Sequence, residues 1–337
     1  MQNKIKSERL IWVDIMVTLL TLGLMDYFYY GVRAVVLGSV CVAVSVVAEM
    51  ISLRLMNRRF TADDLTCVSD ALIIVLMLPA VFDIKIAALA CVFAVIVAKN
   101  IFGGRLNMIF SPAAAAYVFL YTSWKNQLLM FPEPHVHTGV FEKASNLVSS
   151  SSHSFNITGK MSESDFEILL GNVSGPAGAV SILLLAVAAI VLLFRRSISS
   201  GAFIGSISAT VFLAFIVPAS GTRMSSIKYT LVTNMVLFAS VYIIADKRIA
   251  PKRDYYAFFY GFFVAAFSYI VVITTAKENA VVLVSLLFTP VALGFKNLEK
   301  HIENTKLAEQ EEAEKAAAEA AVTSLTENGE EAIADEQ

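Results

Sequence analysis

Ala34-Val-Val-Leu-Gly-Ser-Val-Cys-Val-Ala-Val-Ser-Val-Val-Ala-Glu49-Met-Ile-Ser-Leu-Arg-Leu55 decides the class of this protein. From Ala34 to Ala48 no residue carries a charge, and the stretch is long enough to cross a bilayer as a helix, which takes about 20 residues. Similar runs lie at 11–31, 68–82, 84–98, 109–123, 176–194, 201–218, 229–246, 255–273 and 279–295. Those at 68–82, 84–98 and 109–123 are short for full spans, as expected of tilted or broken helices sheltered by protein. The composition agrees: 57% of residues are hydrophobic and 16% charged. The mean hydropathy is +0.69, and soluble chains carry about 25% charge. The expected fold is all-α and integral to the membrane, with about ten transmembrane helices in two inverted five-helix repeats.

Orientation follows from Lys and Arg, which collect on the cytoplasmic side. With both termini cytoplasmic, eighteen of the 26 basic residues fall inside, among them Arg54, Arg58, Arg59, Lys99, Arg195, Arg196, Lys247 and Arg248. The expected location is the cytoplasmic membrane, multi-pass. The first span is too long for a cleaved leader. Cys41, Cys67 and Cys91 are scattered, so an iron–sulfur cluster, which takes about four thiolates, is not expected on this chain. The four histidines fall outside the spans, which argues against a bis-histidine haem in the bilayer.

The chain divides into a first transmembrane repeat at 1–123, an extracytoplasmic loop at 124–170, a second repeat at 171–297 and a cytoplasmic Ala/Glu-rich tail at 298–337. The loop, with its serine run Ser149 to Ser152, reads as a docking surface or, more simply, a flexible connector. The tail has helix propensity, and disorder is expected after Thr323. The halves echo each other weakly. Ser69-Asp70-Ala71 enters an apolar run ending Leu78-Pro79-Ala80, and Thr233-Asn234-Met235 enters one ending Ile244-Ala245-Asp246-Lys247. Inverted repeats with broken helices at matching positions point to a pathway at their interface.

An ionisable group inside a span costs about 2.5–3.5 kcal/mol on insertion scales, so each is a candidate for function. Glu49 stands deepest and either serves a cation or proton path or makes a structural hydrogen bond between helices. Asp70 is a second candidate for the ion path. Asp14, Asp26 and Asp246 lie near span ends, where a basic neighbour or the interface suffices. Gly103-Gly104 reads as close helix packing, and Gly175-Pro176-Ala177-Gly178 as a glycine-bearing turn before a helix, which suits a phosphate only weakly.

In this order the segments resemble the D subunit of Rnf-type ion-translocating ferredoxin:NAD oxidoreductases and, more distantly, the B subunit of sodium-pumping NADH:quinone oxidoreductases. The likeness covers residues 8–297. It is carried by Tyr27-Phe28-Tyr29-Tyr30-Gly31-Val32-Arg33-Ala34, Ala48-Glu49, Leu76-Met77-Leu78-Pro79-Ala80, Lys99-Asn100-Ile101-Phe102-Gly103-Gly104 with Asn107, and Gly175-Pro-Ala-Gly178-Ala-Val180-Ser181. The resemblance implies a ten-helix inverted-repeat fold, membrane and peripheral partner subunits, and FMN joined by a phosphoester to a threonine of the last motif at the outer face. Here that threonine is Val180, so covalent FMN is not expected. FMN or riboflavin, if bound, would be held non-covalently at a degenerate site of Gly175, Gly178, Val180, Ser181, Gly103, Gly104 and Asn107. Leu106, Met108 and Ser111, Asp70-Ala71, and Ile244-Ala245-Asp246-Lys247 depart from the family pattern as well. The expected function is a membrane subunit that couples electron flow to Na⁺ or H⁺ movement. The alternatives are a flavin-free small-solute transporter or channel on the same fold, and a purely structural subunit.

Overall fold

The computed structural model describes residues 2–104, 108–140, 142 and 146–334, with side chains described between 9 and 310. It is built almost entirely of helices. Contacts divide it into residues 1–293 and residues 294–337. In the larger unit α1 (Gln2–Tyr30) and α2 (Val32–Leu55) meet at Gly31, whose φ of 75° places it in the left-handed region. A Cβ there would lie 2.7 Å from His137 Nδ1, so both backbone and space call for glycine.

The short apolar runs form short helices. They are α3 (Thr66–Leu76), α4 (Ile84–Phe93), which continues as a π-helix over Ala94–Asn100, and α5 (Pro112–Leu128). Asp83 caps α4 by accepting from Lys85 N, and Ser111 caps α5 ahead of Pro112 at its first turn. Trp124, just past the end of the expected span at 109–123, has non-helical dihedrals that kink α5.

The segment 124–170 is not a loose connector. Met130–Pro132 (β1) pairs antiparallel with Leu147–Ser149 (β2), Phe131 facing Val148. Two short helices follow, α6 (Ser151–Thr158) and α7 (Asp165–Leu170). The serine run, read as a connector, is used residue by residue. Ser150 caps α6 at His153 N, Ser151 donates to Glu163, and the Ser152 hydroxyl accepts from Asn234 N at 3.0 Å.

The second half contains α8 (Ala177–Val180), α9 (Ile182–Phe194), α10 (Ser200–Ile216), α11 (Arg223–Val232) and α12 (Val236–Ala239), which runs on as a π-helix over Ser240–Ile244. After these come α13 (Asp254–Thr275) and α14, which begins at Ala280. Helices α10 and α13 pack most closely: a Cβ on Gly201, Gly205 or Gly261 would overlap the backbone carbonyl of Asp254, Phe258 or Ala202. Small residues at such contacts let two backbones approach where lipid supplies no hydrophobic drive.

Among the described residues, four helices are long and apolar enough to cross a membrane: Arg9–Tyr30, Val32–Leu55, Asp254–Thr275 and Ala280–Gln310. A fifth is added if Arg223–Val232 and Val236–Ile244, bent by 58°, count as one span. This is an all-α, multi-pass membrane protein. In the smaller unit, residues 294–337, the chain is helical through Ala334, past Thr323 where disorder was expected.

Candidate functional site

Glu49 sits on α2 at 1% exposure. Lys99, in the π-helical turn after α4, is 0% exposed and places its Nζ 2.9 Å from Glu49 Oε1. The other carboxylate oxygen accepts from Asn100 Nδ2 at 3.2 Å, and Lys99 also donates to Thr66 Oγ1 at 3.3 Å. A wide π turn sets Lys99 and Asn100 side by side toward α2, as such turns often do at functional sites. The ion pair therefore comes with hydrogen bonds that satisfy what the charges alone would leave open, the condition under which a buried pair is tolerated.

Glu49 also forms the floor of a polar vestibule of ≈ 180 Å³ bordered by Arg58, Arg59, Thr61, Asp64, Asn100 and Gly104. Arg58, Arg59 and Thr61 are exposed, so the vestibule joins the surface to the buried carboxylate. Gly103 and Gly104 have φ values of 109° and 75°. Their glycines serve a left-handed turn, not the close helix packing read from the sequence.

Asp70, 1% exposed, belongs to an adjacent but separate cluster. Arg248 grips it through Nη2 at 2.6 Å and Nη1 at 3.1 Å, and holds Asp246 through Nη2 at 2.7 Å. Burial alone would lower the guanidinium's affinity for its proton, but the two carboxylates, Asp246 first, raise it instead. Asp70 is thus neutralised by a residue of the second half. Asp14 receives Arg195 at 2.7 Å and Ser197 at 2.6 Å, the basic neighbour expected of it. Asp26 is 5% exposed, and its Oδ1 has no hydrogen-bond partner among the described residues.

The segment 175–181 lies apart from both clusters. Gly178 packs so closely that a Cβ would stand 2.5 Å from Leu76 Cβ and 2.9 Å from Phe238 Cε2. Gly175 has the same constraint against Val180, at 2.7 Å from Cγ1. Val180 is buried with Ile168 and Val173 in an apolar cluster, and the cavity it lines measures ≈ 20 Å³. Ser181 is 1% exposed, and its hydroxyl finds no partner among the described residues.

A family model described as NQR2, RnfD, RnfE matches residues 1–294. The chain belongs to the NQR2, RnfD, RnfE family. Among curated proteins it is similar to the D subunit of an ion-translocating oxidoreductase complex from Shewanella frigidimarina, 28% identical over 113 residues, which is 33% of this chain and 32% of the relative. The D subunit of a Na(+)-translocating ferredoxin:NAD(+) oxidoreductase complex from Acetobacterium woodii is 28% identical over 122 residues, 36% of this chain and 38% of the relative. The D subunit of an ion-translocating oxidoreductase complex from Shewanella piezotolerans is 31% identical over 111 residues, 32% of each chain. The matched stretches span about a third of these relatives' length.

For this NQR2, RnfD, RnfE family member the group to test is an FMN esterified at position 180. The residues do not fit it. Val180 has no hydroxyl, its side chain is packed into Ile168 and Val173, and ≈ 20 Å³ is room for about one water. Gly175 packs on Val180, with Gly178 and Ser181 in the same segment, whereas Gly104 borders the Glu49 vestibule and Gly103 precedes it in the chain; Asn107 falls outside the described residues. Sequence reading placed Lys99 and Arg248 in charged loops and missed them as partners. Two signals pointed to Lys99: it ends the apolar run Ala94-Val-Ile-Val-Ala98 with no acidic residue beside it, and it opens the Lys99-Asn100-Ile101-Phe102-Gly103-Gly104 stretch of the family resemblance.

Proposed function

We propose that this chain is a membrane subunit of an ion-translocating electron-transfer complex, in which it couples electron flow in partner subunits to movement of Na⁺ or H⁺. The observation that carries this is the fully buried Glu49–Lys99–Asn100 group at the floor of a polar vestibule, in a chain of the NQR2, RnfD, RnfE family. A carboxylate held by an ammonium is a proton or cation exchange point. An entering cation competes with Lys99 for Glu49, and an entering proton neutralises Glu49 and frees Lys99. Either event changes a buried charge balance worth several kcal/mol, enough to shift helix positions.

The fuller architecture in this reading has ten spans in two inverted halves, with both termini and the Arg58–Arg59 edge of the vestibule cytoplasmic. The Lys/Arg distribution supports that orientation. The Arg248 grip on Asp70 and Asp246 then ties the first half to the second. No FMN is esterified to residue 180, and electrons travel mainly on partner subunits; any flavin here is held without a covalent bond.

The test is ion uptake by membrane vesicles containing the assembled complex, driven by its electron donor. Glu49→Gln should leave electron transfer measurable while ion uptake per electron falls at least tenfold. Uptake at the parent level would remove Glu49 from the path. In-gel fluorescence of the denatured chain should show no flavin, and a fluorescent band at its mass would contradict the reading of Val180.

A further inference from the structure

Several buried carboxylates of this chain meet a cation: Glu49 meets Lys99, and Asp70 and Asp246 meet Arg248. Glu278 does not. It stands in the turn between α13 and α14, 5% exposed, and no Lys, Arg or His among the described residues forms an ion pair with it. Lys277, next to it in the chain, is exposed. The Tyr117 phenol of α5 is close enough to feel its charge and lies against the neighbouring Asn279 side chain. From the start of α6 the Ser150 hydroxyl donates to Glu278 Oε2 and accepts from the backbone N–H of His153 at 2.9 Å. A buried carboxylate with one hydroxyl beside it and no cation is costlier than the neutral acid, so the group keeps its proton.

Helix α6 links this turn to a broken helix. Helix α11 stops at Val232, Asn234 and Met235 take φ values of 57° and 56°, and α12 restarts at Val236 with a 58° bend. Two successive left-handed residues without a glycine are strained backbone, retained where surroundings over-determine it. Those surroundings are side chains of α6. Asn234 N donates to Ser152 Oγ at 3.0 Å, and the Asn234 and Asn156 amides bond each other at 2.6 and 3.1 Å. On its other side Asn156 donates to Ala276 O at 3.4 Å, in the same turn as Glu278. One short helix thus touches the buried acid at its first turn and the strained break along its length.

We propose that Glu278 is a proton-binding site at the α13–α14 turn, and that α6 carries its protonation state to the α11–α12 break. Burial raises the carboxyl from 4.5 to about 8, so acid and carboxylate exchange in neutral to mildly alkaline solution. On ionisation the carboxyl gives its proton to water at the nearby surface. The carboxylate left behind accepts more strongly than the acid and pulls harder on the Ser150 hydroxyl that starts α6. A shift of α6 is then felt at Asn234, where Ser152 and Asn156 hold the strained backbone. In the orientation proposed above this turn faces outward, opposite the Arg58–Arg59 edge of the vestibule. The role of the site in translocation rests on that function; the proton binding does not.

The test is infrared spectroscopy of the purified full-length chain in detergent, titrated with alkali. The carbonyl stretch of a protonated carboxyl should fade with a midpoint at about pH 8, and Glu278→Gln should lose that fading band. A parent without such a pH-dependent band, or the same band in the variant, overturns the site. If Glu278→Gln fails to fold, Ser150→Ala serves: it removes the hydroxyl that meets the carboxyl and should shift the band, and an unshifted band overturns the site. Hydrogen exchange at the Asn234 amide tests the link, compared at equal pH so that intrinsic rates cancel. It should be faster in the parent than in Glu278→Gln above about pH 8 and equal well below it. Equal exchange throughout overturns the link through α6. Both readouts use the chain without its complex, so their failure is distinct from a failure of ion uptake.

Discussion

Glu49 and Lys99 are each almost wholly shielded, so neither tolerates the loss of the other. Breaking a buried pair from one side costs about 3–5 kcal/mol, because a lone charge is left in a poor solvent. Lys99→Met should therefore lower the unfolding midpoint in detergent by more than the pair Lys99→Met with Glu49→Gln. A double variant no more stable than the single one would show that the pair is not the source of the loss. Glu278, between α13 and α14, offers a second measurement, this time against pH. It is 5% exposed, and burial raises its carboxyl from 4.5 to about 8. The contact it receives from the Ser150 hydroxyl does not offset the hydration lost. The folded state thus holds the proton more tightly than the unfolded chain. Its stabilising effect is complete below about pH 4.5 and is lost as pH rises through about 8. Each tenfold gain in proton affinity is worth about 1.36 kcal/mol, so the whole effect is on the order of a few kcal/mol. Glu278→Gln should flatten the fall in stability between those limits, as followed by denaturant unfolding at several pH values.

At the scale of elements, α10 and α13 are held by glycines that let carbonyls of one helix touch the backbone of the other. Gly205→Leu should force them apart and cost at least the ~1–3 kcal/mol of an overpacked contact, whereas Gly23→Leu, with nothing within 4 Å, should be nearly silent in the same unfolding assay. The hydroxyl of Ser152 holds the strained Asn234 N–H at 3.0 Å. Ser152→Ala should cost about 1 kcal/mol and speed hydrogen exchange at the α11–α12 break before it affects exchange elsewhere. Neither contact could be read from the chain. The glycines look like any others in an apolar run, and Ser152 looks like part of a solvated serine tract. Their meaning comes from a backbone that arrives from 82 residues away in the case of Asn234.

Across the whole molecule, Arg248 joins the two halves by holding Asp70 of α3 and Asp246 at once. The consequences of cutting this clamp should be unequal. Asp70→Asn leaves Arg248 its bond to Asp246, and the loss should be small. Arg248→Met leaves two buried carboxylates facing each other, and should cost several kcal/mol. Thermal midpoints of the two variants in detergent separate these cases: the Arg248→Met midpoint should fall well below that of Asp70→Asn, and equal midpoints would show that Arg248 is not the clamp.

The class, and the burial of Glu49 and Asp70, were legible in the sequence for a plain reason: a bilayer imposes long uncharged runs and makes each charge within them costly, so runs and exceptions both stand out in a one-dimensional reading. Helices occupy the runs, Glu49 and Asp70 are buried, and the family model matches residues 1–294. The partners of those charges were decided only by tertiary structure. Lys99 and Arg248 read as ordinary basic residues at span ends, and a sequence records neither the π turn that swings Lys99 inward nor the approach of the second half that brings Arg248 to Asp70. The same holds for the loop 124–170 and the broken helix it braces: polar residues in a tract look alike until the fold sets one of them against an unpaired N–H. Hydropathy is a property of a segment, and pairing is a property of two segments meeting, so the first was written along the chain and the second arose when the helices packed.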